Sequence, residues 1–156
     1  ASRCAKFIND DFNNQLSGKI ADQELLSQFQ QSSSSIATMY KHREFGRAMR
    51  TIMSLADQAN RYLDKEKPWN LAKDVTKKEQ VQEICTMGLN LFRILMIYLK
   101  PVVPAIAKQA EAFLDLDNQH WSDINQSLID HQINNYEPLL TRLQKENIDA
   151  MIDASK

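Results

Sequence analysis

The chain has 156 residues, 43% hydrophobic and 25% charged, with three Gly, four Pro and a net charge of −1. That length fits one domain with a real core, and so little Gly and Pro starves a β-rich fold of its turns. No apolar run approaches the ~20 residues that span a bilayer, and no charged-then-apolar leader opens the sequence, so a cytoplasmic protein is expected. The opening Ala1-Ser2-Arg3-Cys4 lacks an initiator Met and is helix-like at once, which reads as a fragment of something longer.

Apolar residues recur at three- and four-residue steps, the period of amphipathic helices. A first helix is expected from Ala1 to Leu16, with Ala5, Ile8 and Phe12 inward, Arg3 and Asp10 nearer the other side, and Ser17-Gly18 as terminator. Asp22 caps a second, which carries Leu25, Leu26, Phe29, Ile36 and Tyr40. The run Ser32 to Ser35 lies inside it. Serine favours caps and turns, but the apolar phase is kept across the run, so one unbroken helix is expected. A third helix, Arg43 to Lys65, turns Phe45, Ala48, Met49, Ile52, Ala56, Ala59 and Leu63 inward. Its opposite face holds Arg43, Arg47, Arg50, Asp57, Arg61 and Asp64.

The clearest helix runs from Lys78 to Leu99, apolar on most sides. Gly88 at its middle costs about 1 kcal/mol relative to Ala and implies close approach of a neighbouring backbone. Pro101 ends it, and Pro104 starts a helix reaching Leu114. From Asp115 to Asn135 the period fades into a polar strap that Trp121, Ile124, Leu128 and Ile133 can pin to the bundle. A short final helix is expected over Gln144 to Asp153. The fold class is all-α: a helix bundle over 1–114, then an irregular C-terminal return and final helix over 115–156 packed on the same domain.

Catalytic signatures are missing. There is no Gly-rich phosphate loop, nucleophile elbow, HExxH or repeated Glu-x-x-His pair. Asp117-x-x-His120 has helical spacing, yet a single pair in a polar strap reads as a surface hydrogen bond, so no metal is expected. Cys4 and Cys85 have no partners at metal-ligand spacing and read as small buried hydrophobes in a reducing compartment.

Charge is unevenly spread. Residues 40–80 carry ten basic and six acidic side chains, so a polyanion would meet the middle of the chain. That region holds Asn60-Arg61-Tyr62, then Lys67-Pro68-Trp69-Asn70-Leu71-Ala72-Lys73. Turned outward, the Trp69 indole offers a flat face beside several cations, which suits an unpaired base. Turned inward, it plugs the end of the bundle, the commoner fate of Trp.

These blocks resemble the anticodon-binding domain of bacterial, class I methionyl-tRNA synthetases. So do Arg43-Glu44-Phe45-Gly46-Arg47-Ala48, the run Ile84 to Arg93, and Tyr98-Leu99-Lys100-Pro101. The resemblance covers the whole chain and implies a tRNA-reading module of a methionine–tRNA ligase. Its partners would be a methionine tRNA with a CAU anticodon and the catalytic domain of the same polypeptide. ATP and methionine would be used by that other domain, leaving no cofactor and no catalytic residue here. By the same resemblance Trp69 stacks on the first anticodon base and Arg3 helps read it. A companion Asn would lie two positions before Ala1. Arg61, Lys65, Lys67 and Lys73 are candidate contacts to the tRNA backbone, and Arg142 is the nearest match to a C-terminal Arg linked to the acceptor arm. Ile133, Tyr136 and Leu140 would dock on the catalytic domain. Two other readings remain open: the anticodon domain of another class I synthetase, and a helical scaffold that binds a protein.

Overall fold

A computed structural model of the chain describes residues 1–140 together with Met151. Helices span Ser2–Asp11 (α1), Gln23–Gln31 (α2), Ser33–Lys41 (α3), Phe45–Glu66 (α4), Pro68–Leu71 (α5), Lys78–Leu99 (α6) and Pro104–Phe113 (α7). Short 3-10 turns lie at Val75–Lys77 and Trp121–Asn125, and the described residues contain no strand. The expected final helix and Arg142 fall outside the described residues.

α6 is the spine, packed by α1, α2, α4, α5 and α7. Its bounds match the expectation, since the apolar run and Pro101 give concordant signals. One apolar cluster sets Phe29, Ile36 and Ile52 against Leu91, Ile94 and Tyr98 of α6. The other sets Cys4, Ile8 and Leu16 against Cys85 and Leu89, closed by Leu114, Leu128 and Ile133. Each large side chain so buried stabilises by about 1.5–3 kcal/mol.

Four expectations are corrected. α1 stops at Asp11, because Asn13 and Asn14 take left-handed backbone (φ 49 and 64) that Asn tolerates better than most residues. The helix through the serines is interrupted at Ser32, whose hydroxyl donates to the Gln28 carbonyl at 3.0 Å and competes with the helical ladder. Phe45 at the start of α4 is 54% exposed, lying beside Tyr40 instead of in the core. What meets Gly88 is a pair of side chains: a Cβ there would stand 2.9 Å from Cys4 Sγ and 3.3 Å from Leu63 Cδ2.

Cys4 and Cys85, distant in sequence, are buried neighbours and both are free thiols. Their mutual hydrogen bond, with burial, pushes the Cys85 thiol well above its usual range, so it stays protonated.

The strap is held by polar side chains of α6. Asn90 Nδ2 donates to the Leu128 carbonyl at 2.9 Å, and its Oδ1 accepts the Leu128 N–H at 2.7 Å. Arg93, 3% exposed, donates to the carbonyls of Gln126 and Asp123 and to the Gln119 side chain at 2.6–2.8 Å. Lys100 reaches Glu111, Asn118 and the Gln119 carbonyl. Trp121 packs against Tyr98 and edge-on to Tyr40, while Ile124, Leu128 and Ile133 are buried. Farther on, the backbones of residues 14–17 and 130–133 exchange hydrogen bonds at 2.9–3.1 Å. Of the three residues expected to dock elsewhere, Ile133 is core, Tyr136 stacks edge-on to Phe113, and Leu140 is 72% exposed.

Candidate nucleic-acid interface

Trp69 owes its position to the turn between α4 and α5. Lys67 adopts left-handed backbone (φ 48, ψ 58), and its N–H closes α4 on the Leu63 carbonyl at 2.9 Å. The Lys67 carbonyl then opens α5 by accepting the N–H groups of Asn70 and Leu71 at 2.8 and 3.2 Å. Pro68 fills the first position of α5, where its missing N–H is not needed. Pro68 is buried and Leu71 packs into both apolar clusters, so the short helix is anchored on either side of the indole. Trp69 itself is half-buried and belongs to neither cluster.

The indole faces α1. The Arg3 guanidinium carbon lies 5.0 Å from the centroid of its ring, within cation–π range. Around them opens a groove of about 630 Å³ lined by Arg3, Lys6, Phe7, Asp10, Asp11 and Trp69. The volume falls in the range of small-ligand sites, ~300–1,000 Å³. The groove offers an aromatic face, a fork of donors on Arg3, a second cation on Lys6 and two carboxylate acceptors. That set can stack one flat heterocycle and hydrogen-bond its edge.

Of the sequence-derived candidates, Trp69 and Arg3 come together. Arg61, Lys65, Lys67 and Lys73 are exposed and lie outside the lining of this groove. Lys65 stands 4.0 Å from the neighbouring Glu66 carboxylate. Arg142 is not among the described residues. Lys6, Phe7 and Asp10 were missed, although they repeat at the three- and four-residue spacing that puts them on one face with Arg3. Only the fold shows that this face meets Trp69. Among the described residues no group of three or more His, Cys, Asp or Glu is placed to hold a metal ion. No helix there is long and apolar enough to cross a membrane.

The family model for the anticodon binding domain of methionyl tRNA ligase matches residues 16–148. Methionine–tRNA ligase of Francisella tularensis subsp. tularensis is 43% identical over 156 residues, all of this chain and 23% of that protein. The protein of the same name from subsp. holarctica matches to the same extent. The chain thus spans about a quarter of the length of these relatives. Among solved structures, apo methionyl-tRNA synthetase of Mycobacterium tuberculosis superposes with a TM-score of 0.81 at 13% identity, over 92% of this chain and 31% of that one. Its methionyl-adenylate complex gives 0.78 at 17% identity, over 90% of this chain and 29% of that one. At those identities the likeness establishes the fold. The family match over most of the chain establishes more: the chain belongs to the anticodon-binding domains of methionyl-tRNA ligases.

Proposed function

We propose that the chain reads the CAU anticodon of a methionine tRNA, as the non-catalytic part of a longer cytoplasmic polypeptide. The rest of that polypeptide would activate methionine with ATP and transfer it to the tRNA. The observation that carries this reading is the Trp69–Arg3 pair at the mouth of the groove. An unpaired first anticodon base stacks on the indole. Arg3, exposed and on a flexible stem, gives up the ring face and donates to the base edge or its phosphate. The exposed Arg61, Lys65, Lys67 and Lys73 draw in the phosphate backbone, and Arg142 serves the acceptor side.

The test is binding of the wild-type chain and Trp69→Ala to a CAU anticodon stem-loop and to one with its first anticodon base replaced. Stacking is worth ~1–3 kcal/mol per base, so Trp69→Ala should weaken CAU binding by roughly 5- to 150-fold and erase the preference. Equal binding of both loops by wild type would sink the reading and leave a basic helical surface.

A further inference from the structure

Beside the Trp69 groove lies a second recess, which shares Asp11 with it as a lining residue. It encloses about 210 Å³ between the end of α1 and the start of α6. Phe12 and Val81 form its floor and Val75 its outer lip, 85% exposed. The Lys78 ammonium lies 5.5 Å from the centroid of the Phe12 ring, so the recess repeats the cation-and-aromatic pairing of Arg3 with Trp69. Two carboxylates also border it. Asp74 is engaged by the Thr76 hydroxyl and N–H at 2.7 and 2.9 Å, which hold it below the usual carboxylate range. Asp11 is exposed and faces both cavities.

Resting on the anticodon reading above, we infer that this recess takes a second, unstacked nucleotide of the same loop, its base against Phe12 and Val75 and its phosphate on Lys78. Three features select this occupant. The volume suits one flat heterocycle and falls short of the ~300 Å³ at which drug-sized pockets begin. Trp69 and Phe12 line different cavities that have only Asp11 in common, so a base stacked on the indole leaves the Phe12 recess free for another. Charge is complementary in detail: the lysine suits a phosphate, and the shared Asp11 carboxylate accepts from the amino or imino N–H groups that base edges present.

The experiment is an abasic scan of the CAU stem-loop against wild type, Phe12→Leu, Val75→Ser and Lys78→Gln. Val75 and Lys78 are exposed, so those two variants test the recess even if Phe12→Leu loosens the core beneath it. The recess variants should bind the intact loop about 5- to 20-fold more weakly and keep first-base discrimination. The loss in Val75→Ser should vanish when one particular loop base, not the first of the anticodon, is removed. Lys78→Gln should also flatten the dependence of log affinity on log salt by about 0.7, one phosphate contact on a single strand. Wild-type affinity in Val75→Ser and Lys78→Gln overturns the inference, as does a loss unaffected by any abasic position. In both of those cases Trp69→Ala still reports separately on the anticodon reading. Failure of wild type to bind any stem-loop overturns both.

Discussion

At the scale of single residues the tightest constraint is at Gly88. Adding one methyl there gains about 1 kcal/mol of helix propensity over Gly. It also drives a Cβ to 2.9 Å from a sulfur that is itself buried on a packed helix. Overpacking of this kind typically costs about 1–3 kcal/mol, so the clash cancels the propensity gain or outweighs it. Gly88→Ala should be less stable than wild type by up to about 2 kcal/mol in urea unfolding. Gly88→Ala combined with Cys4→Ala should recover part of that loss, because the obstructing sulfur is gone. Additive effects of the two changes would show that the clash is not the cause.

At the scale of elements, the strap depends on groups that interrupt the apolar stripe of α6. Asn90→Ala strips both partners from the buried N–H and carbonyl of Leu128, at about 1–3 kcal/mol for each group left unpaired. Amide exchange should then rise sharply over residues 119–128 while the centre of α6 stays protected. Uniform loss of protection would mean that the strap and spine open as one unit. The same contrast explains what could be read in the sequence. The bounds of α6, and the inward sets of α1 and α4 apart from the exposed Phe45, follow from period and proline, which are local signals. The end of α1 depends on two asparagines in left-handed backbone, and the break at Ser32 on a hydroxyl competing with the helical ladder; both are local effects that period counting ignores. The apolar pins of the strap were legible, but its polar anchorage is tertiary, and the trace of that in sequence is Asn90 and Arg93 standing polar inside a buried helix. Trp69 and Arg3 came from resemblance. That α1 turns Lys6, Phe7 and Asp10 toward the same groove required the fold.

For the whole molecule, the buried phenols set an alkaline limit. Burial raises the pKa of Tyr98, Tyr62 and Tyr40 above the ordinary value of 10.0. Below that value the phenols are protonated in both folded and unfolded chains, so their contribution to stability is fully present. As pH climbs past it, the unfolded chain ionises first and the folded state loses ground. Urea midpoints should therefore hold steady up to about pH 9 and fall progressively above about pH 10. A midpoint that stays flat beyond that point would show these hydroxyls ionising without cost in the native state. Tyr98 also ties α6 to α2 by donating to the Phe29 carbonyl, so the loss is expected to be global.

The left-handed turn at Lys67 has one more consequence, which concerns timing. Its backbone bonds close on themselves within residues 63–72, so the indole is aimed before any RNA arrives. On the proposed reading, the protein then has only the Arg3 side chain to re-order, and most of the ordering entropy falls on the nucleic acid, whose loop must swing a base outward. On the anticodon reading proposed above, capture would be governed by how often the anticodon opens. On that reading, a tRNA modification that stiffens or loosens the loop would act on the association rate, with the protein itself unaltered.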